Sequence, residues 1–316
     1  MTAEPGPRYA RLARPALVGS RARMVLALAT LIGGILLLAL GFIAVMIAGG
    51  LDLVFATAPD PDAPIRPTEL AMTLLLVPVL TLPAAILTAR LVLRMSVGSV
   101  CSVVGRFRWG WYVRCLLLAS VIAVVASLLP MLWTEPASGT EPPPGWPVLI
   151  AIIVCCVPVQ AFAEEFVFRG VLFQILGARW TRPLVGFVVP GILTSVLFAL
   201  VHAPASWLPL LAYSFGGFWY ALLCDRSGGL EASSAAHTAW NIALMVTITV
   251  LLPPGAGAGG QPASTEAVLP TLLTDVLLAG SLILLAHRTG VVRTTPAAPD
   301  RGAVPISQGT GGREHR

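Results

Sequence analysis

Eight apolar segments, each long enough to cross a lipid bilayer, dominate this sequence. A helix needs about 20 apolar residues to span the hydrocarbon core, and lipid offers no water to satisfy an open backbone. Because 56% of the residues are hydrophobic and only 11% are charged, a soluble globular domain is excluded. We predict an all-α polytopic membrane protein, a helical bundle of about eight transmembrane helices. The predicted spans are residues 24–48, 70–93, 112–133, 147–176, 184–203, 207–224, 230–252 and 267–287.

The distribution of charge predicts the orientation in the membrane. With the N-terminus inside, every arginine except Arg66 falls on the cytoplasmic side or at a cytoplasmic helix end, as the positive-inside rule requires. We therefore predict a multi-pass protein of the cell membrane with both termini cytoplasmic. The arginines are spread over short loops rather than gathered on one face, so we expect no nucleic-acid partner. The predicted outer segments carry acidic residues instead: Asp52, Asp60, Asp62, Glu135, Glu141 and Glu266.

The domain organisation follows from these spans. An arginine-rich cytoplasmic tail (1–23) precedes a first group of transmembrane helices (24–146). A second group (147–252) contains the polar motifs discussed below, and one last transmembrane helix (267–287) follows. The remaining residues (288–316) are rich in Gly, Pro, Thr and Arg, and we predict a disordered cytoplasmic tail there.

Two adjacent glutamates, Glu164 and Glu165, interrupt the fourth apolar segment, and Arg169 follows one turn later. Carboxylates at such depth are costly, so they are candidates for a functional site. Glu165 and Arg169 are four residues apart with the acid first, the favourable order for an ion pair on a helix. Glu164 is rotated by about 100°. We predict that Glu165 pairs with Arg169 and that Glu164 faces a cavity.

Two further polar pairs lie in later apolar segments. Phe198 precedes His202 by one turn and can support the imidazole by packing. His237 and Asn241 share one helix face, so that Asn241 can orient His237 or donate a hydrogen bond to a developing oxyanion. Each signal is weak alone, but together with the glutamates they indicate hydrolytic chemistry.

Read in order, the motifs Glu-Glu-x3-Arg, Phe-x3-His and His-x3-Asn resemble the CPBP family of intramembrane proteases. This family includes the type II CAAX prenyl endopeptidases and bacterial Abi-like proteins linked to bacteriocin self-immunity. The surrounding residues fit as well, over 163–170, 194–202 and 236–241. The resemblance covers about residues 147–250, which makes 147–252 the catalytic helices.

The resemblance implies an intramembrane endopeptidase that acts on a peptide or protein substrate in or at the lipid bilayer. Glu164 would be the general base that activates water together with His202, while His237 and Asn241 stabilise the oxyanion. Glu165, Arg169 and Phe198 would support these residues.

The cofactor stays open between two alternatives. Glu164, His202 and His237 supply two imidazoles and one carboxylate, a ligand set that suits zinc. A metal-free mechanism uses the same residues, and we favour it because His237 and Asn241 already provide an oxyanion site.

Two other functions compete with a protease. One is a non-catalytic membrane scaffold or a bacteriocin-immunity protein of the same family, and the complete set of polar residues argues against it. The other is a proton-coupled transporter, for which Asp275 would be the main additional acid. We interpret Asp275 as a helix-packing residue.

The depths of the candidate residues set a test for the fold. Counted from the cytoplasmic helix ends at about 1.5 Å per residue, Glu164 lies roughly 18 Å deep, His202 roughly 28 Å and His237 roughly 10 Å. Catalysis requires the three to converge, so we expect helix tilt or a shifted helix start to remove the difference.

Overall fold

The computed structural model describes residues 6–48, 66–129, 142–204, 206–251 and 265–295. Across these ranges the regular structure is helical and no β-strand forms; two isolated antiparallel bridges join Arg8 to Thr294 and Ser102 to Gly229. The prediction of an all-α bundle is confirmed. The helices are α1 (Arg14–Leu17), α2 (Arg21–Ala48), α3 (Pro67–Leu87), α4 (Val97–Cys101), α5 (Trp109–Leu128), α6 (Trp146–Glu165), α7 (Phe173–Gly177), α8 (Val185–Val201), α9 (Trp207–Ser227), α10 (Glu231–Val246) and α11 (Thr265–Arg288).

Three helices continue into π-helical turns: α3 through Thr88–Val92, α6 through Phe166–Leu172 and α10 through Thr247–Leu251. The turn after α6 leads directly into α7, so that the chain is helical from Trp146 to Gly177. π-Helical turns are rare and often mark functional sites. Here one begins immediately after the paired glutamates.

Seven helical stretches of the described ranges are long and apolar enough to cross a membrane. They correspond to seven of the eight predicted spans. The remaining one, predicted for 184–203, is α8 with 17 residues. Its length of about 26 Å is close to the lower limit for a span. The helix ends before Ala203 because this residue has a φ of +46° and Pro204 follows it, a combination that does not continue a helix.

Helix α10 lies at the centre of the bundle and packs against α5, α6 and α9. Of its span 56% is buried, compared with 6% for α2 at the periphery. Lipid provides no hydrophobic driving force between helices, so close backbone approach must supply the contact energy. Helix α10 achieves this with fully or almost fully buried alanines: Ala232, Ala235, Ala236, Ala239 and Ala243.

The two ends of the described chain meet on one side of the bundle. Tyr9 is fully buried, and its hydroxyl donates to the Val100 carbonyl at 2.6 Å. Thr294 pairs with Arg8, and the Arg108 guanidinium donates to the Val292 carbonyl at 3.0 Å. Part of the predicted N-terminal tail is therefore folded. The predicted disordered tail lies largely outside the described residues, which end at 295.

If α8 crosses the membrane together with the seven longer stretches, both termini lie on the same side. With the N-terminus cytoplasmic, as the charge distribution predicts, a green fluorescent protein fused after residue 290 should then fluoresce, whereas alkaline phosphatase fused there should be inactive. The same reporters after residue 255, in the predicted outer segment, should give the opposite pattern and serve as the control. Phosphatase activity after residue 290 would contradict the eight-span topology.

Candidate active site

An ion pair buried between helices forms the base of the candidate site. Arg169 and Glu165 are both fully buried. Arg169 Nη1 donates to Glu165 Oε1 at 2.9 Å, and Nη2 donates to the Gly217 carbonyl of α9 at 3.1 Å. The ion pair expected from the four-residue spacing is thus present.

Aromatic rings enclose the Arg169 guanidinium. Its Cζ lies 4.4 Å from the ring centroid of Phe198, 5.6 Å from that of Tyr220 and 5.9 Å from that of Phe168. Such cation–π contacts gain strength where water is excluded. Phe198, which the sequence assigned to His202 alone, therefore also contacts the buried charge.

His237 lies between the two glutamates. Its Nδ1 is 3.1 Å from Glu165 Oε1, and its Nε2 is 3.4 Å from Glu164 Oε2. Because Oε1 of an ionised Glu165 only accepts, Nδ1 is the donor of the shorter contact. The Tyr220 ring stacks on the imidazole at 5.2 Å with an interplanar angle of 25°. Glu165 and Tyr220 together fix the orientation of His237.

Glu164 has one oxygen occupied and one available. The Gln160 amide, one turn earlier on α6, donates to Glu164 Oε1. Glu164 Oε2 is buried and accepts no hydrogen bond from any described protein group. An unpaired carboxylate oxygen in such a place is costly, so a water molecule or a substrate group is the natural donor for it.

Asn241 lies on the same face of α10 as His237 but contacts a residue of another helix. Its Nδ2 donates to Gln160 Oε1 of α6 at 3.4 Å. Of the two roles considered for Asn241, this contact does not serve the orientation of His237, and donation to an oxyanion stays a prediction. Gln160 of α6 thus contacts both Glu164 on its own helix and Asn241 on α10. The two helices are joined by side-chain hydrogen bonds at the level of Glu164.

His202 directly follows the last residue of α8, Val201. Its Nδ1 is 2.7 Å from the Phe198 carbonyl, which only accepts, so Nδ1 carries the proton and Nε2 is free to accept. The Phe198 ring centroid is 4.6 Å from that of His202 and 5.8 Å from that of His237. No hydrogen bond or ion pair joins His202 to Glu164 or His237 among the described residues.

The difference in predicted depth between Glu164 and His237 has a structural cause. A Cβ placed on Gly170 would lie 3.4 Å from Leu230 Cδ1, so these two residues are level. Glu164 lies six residues before Gly170 and His237 seven after Leu230, which puts both about 10 Å above this contact. Residues 171–177 extend past the start of α10. The predicted depth of Glu164 was counted from the far end of this extension and that of His237 from the start of α10, so the two values had different reference levels.

The described side chains do not fit the zinc alternative. No group of three His, Cys, Asp or Glu residues within the described ranges is arranged to bind a metal ion. Both ring nitrogens of His237 face carboxylates, and the Phe198 ring contacts both imidazoles. The predicted set of Glu164, His202 and His237 is therefore not assembled as a metal site.

The sequence argument missed three residues of the site. Gln160 is a polar residue one turn before Glu164 in an otherwise apolar helix, and that spacing could have identified it. The Tyr213 ring contacts the His202 imidazole at 4.8 Å in a tilted arrangement, and the Tyr220 ring stacks on His237. The two tyrosines are seven residues apart and so share one face of α9, but aromatic residues at this spacing are common in any membrane helix.

Comparison with known proteins identifies a relationship for the segment that contains the site. Residues 144–243 match the family model described as "Type II CAAX prenyl endopeptidase Rce1-like". The chain is also 36% identical over 104 residues to "Uncharacterized protein YyaK" of Bacillus subtilis (strain 168). This alignment covers 32% of the present chain and 34% of that relative, so it spans about a third of the relative's length. No solved structure matches the chain.

The family match confirms the resemblance indicated by the motifs. Glu164, Glu165, Arg169, His202, His237 and Asn241 all lie within the matched residues. The match covers the helices that carry the polar motifs, and the apolar helices support a multi-pass membrane protein. Helices α2, α3, α5 and α11 lie outside the matched range.

The buried ion pair predicts a large effect on stability. Glu165→Gln leaves the Arg169 guanidinium without its counter-charge in a fully buried position, which should lower the free energy of unfolding by about 3–5 kcal/mol. Glu69→Gln is the matched control. It removes the exposed pair with Arg66, at 3.5 Å, and should cost about 1 kcal/mol or less. Thermal unfolding in detergent measures both, and equal shifts would argue against a structural role for the Glu165–Arg169 pair.

The close approach of α9 to Arg169 gives a second prediction. A Cβ on Gly217 would lie 2.8 Å from Arg169 Nη2 and 3.0 Å from Ser195 Cβ, whereas a Cβ on Gly280 meets nothing within 4 Å. Gly217→Ala should therefore destabilise the protein. Gly280→Ala should be neutral or stabilise by up to about 1 kcal/mol through helix propensity. Unfolding curves of the two variants test this, and a Gly217→Ala protein as stable as the control would contradict the packing described.

Proposed function

We propose that this protein is an intramembrane endopeptidase that hydrolyses peptide bonds of membrane-associated substrates. The observation that carries the proposal is the state of Glu164. Its Oε2 is buried, accepts no hydrogen bond from the described protein groups and faces His237 Nε2 at 3.4 Å. Such an oxygen is placed to accept a proton from a water molecule, which is the task of a general base.

In the proposed reaction a water molecule donates a hydrogen bond to Glu164 Oε2 and attacks the carbonyl carbon of the scissile bond. As the new C–O bond forms, the water proton passes to Glu164. The same proton is then delivered to the leaving nitrogen while the C–N bond breaks. His202 Nε2, which has a free lone pair, provides a second acceptor to orient the water.

We assign the oxyanion site to α10. Asn241 Nδ2 donates to the negative oxygen of the tetrahedral intermediate, and His237 donates through Nε2 when that nitrogen carries a proton. Donors held in place before the reaction are effective because they need no reorganisation. Gln160 is a positioning residue in this scheme, since it contacts both Glu164 and Asn241.

Glu164→Gln should abolish proteolysis while the protein stays folded, because the amide keeps the shape of the side chain but is a very poor base. The measurement compares the membrane proteomes of a deletion strain complemented with the wild type or with the variant. Substrates should remain uncleaved with Glu164→Gln. Glu69→Gln, which changes a glutamate outside the site, should restore cleavage as the wild type does.

Equal cleavage patterns for the wild type and Glu164→Gln would overturn the proposed function and favour a non-catalytic scaffold. Metal analysis of the purified, active protein accompanies the test. The geometry leads us to expect activity without a stoichiometric metal ion, and a metal content near one per chain that follows activity across variants would refute the metal-free scheme.

A further inference from the structure

A cavity lies away from the glutamate cluster, where α2 begins and α3 has ended. Its volume is about 630 Å³. The lining comes from the N-terminal segment, the start of α2, residues 93–99 and residues 102–105. The proposed peptidase reaction uses none of these residues.

The cavity carries positive charge and no opposing carboxylate. Arg23 and Arg94 line it, and its lining residues include no Asp or Glu. Arg23 Nη1 donates to the Ala16 carbonyl at 2.7 Å, which holds one edge of this guanidinium and leaves the other edge free. Arg94 is exposed and makes no hydrogen bond or ion pair within the described ranges. Its φ of +56° is unusual for a residue other than glycine, and strained residues of this kind cluster at ligand sites.

Hydroxyl groups complete the polar lining. Ser96, Ser99 and Ser102 all contribute to the cavity, and the Ser96 and Ser99 hydroxyls are 2.8 Å apart. Guanidinium groups bind phosphate by charge-assisted, often bidentate hydrogen bonds, and a serine hydroxyl adds a neutral donor. The Ser102 hydroxyl already donates to the Gly228 carbonyl, so the Ser96–Ser99 pair supplies the available hydroxyl donor. Two arginines with this pair suit a phosphate group.

The level of the cavity indicates where that phosphate comes from. Arg23 belongs to the first turn of the span that starts at Arg21, and Arg94 follows the span that ends at Val92. The cavity thus lies at the membrane–water boundary, where lipid headgroups are found. Apolar side chains beside both arginines face outward, with Val25 60% and Leu91 69% exposed. These surfaces can accommodate acyl chains.

We propose that this cavity binds the phosphate headgroup of an anionic phospholipid. Such binding would stabilise the candidate active site, because α4 connects the cavity to the helical segment that follows α6. The Val100 carbonyl accepts from Tyr9 and from Gln174, which follows α6 in α7. A Cβ on Gly170 would lie 2.9 Å from Val100 Cγ1. The lipid site and the π-helical turn that carries Arg169 are therefore joined through one short helix.

The test uses the full-length protein in neutral detergent, with bound lipid measured by native mass spectrometry. Phosphatidylglycerol is compared with phosphatidylcholine of the same acyl chains, and inorganic phosphate is added as a competitor. Arg94→Gly removes the cation, and glycine tolerates the positive φ, so the fold should persist. Arg94→Lys keeps the charge. Arg114→Gln is the matched control, since Arg114 is exposed, makes no hydrogen bond or ion pair within the described ranges and lies at the same membrane face.

We expect the wild type to retain phosphatidylglycerol in preference to phosphatidylcholine. Arg94→Gly should weaken this binding about five-fold, the effect of one interfacial arginine, whereas Arg94→Lys and Arg114→Gln should retain most of it. Displacement by millimolar phosphate would support the phosphate chemistry but identify a free anion as the ligand. Equal retention of both lipids, or an equal loss in Arg94→Gly and Arg114→Gln, would overturn the proposal. None of these outcomes depends on proteolytic activity.

Discussion

A single buried guanidinium organises the core of this membrane protein. Arg169 is fully buried, and neighbouring helices each supply a group that compensates the loss of water around its charge. Helix α6 supplies the Glu165 carboxylate, α9 the Gly217 carbonyl and α8 the Phe198 ring. His237 of α10 then binds the same carboxylate oxygen that Arg169 uses. Contacts to Arg169 and to its partner Glu165 therefore fix the orientation of α6, α8, α9 and α10 relative to one another.

Small residues make this arrangement sterically feasible. Without a hydrophobic driving force between helices, membrane proteins rely on close backbone approach and interhelical hydrogen bonds. Gly217 lets the α9 backbone reach the Arg169 guanidinium, and the alanines of α10 bring His237 within reach of both glutamates. A second ion pair secures the start of α10. Glu231 is fully buried, and its Oε2 accepts from Arg108 Nη2 at 2.7 Å. One buried ion pair, Glu231–Arg108, therefore fixes the start of α10, and the other, Glu165–Arg169, fixes the position of His237.

The sequence predicted the features that lie within one helix and the meeting of Glu164 with His237, whereas other contacts between helices were not predicted. Apolar length located the spans to within a few residues, as for 207–224 and the observed Trp207–Ser227. The four-residue spacing identified the Glu165–Arg169 pair. Relative height was not accessible, because nothing in the pattern shows that residues 171–177 extend past the start of α10. The partner of Asn241 also depends on a neighbouring helix, so Gln160 was missed. The π-helical turn has no sequence signal that we can identify.

The surroundings of the two glutamates explain how adjacent identical side chains serve different ends. Glu165 Oε1 accepts from both Arg169 and His237, so this carboxylate has a structural role as the partner of both side chains. Within the described residues, Glu164 receives an amide donor on Oε1, and its Oε2 accepts no hydrogen bond and faces His237 Nε2. The rotation of about 100° between consecutive helical residues is enough to separate them. A carboxylate that is held in place yet has one free oxygen is what a proton acceptor requires. The neighbouring ion pair supplies the rigidity that Glu164 itself does not provide.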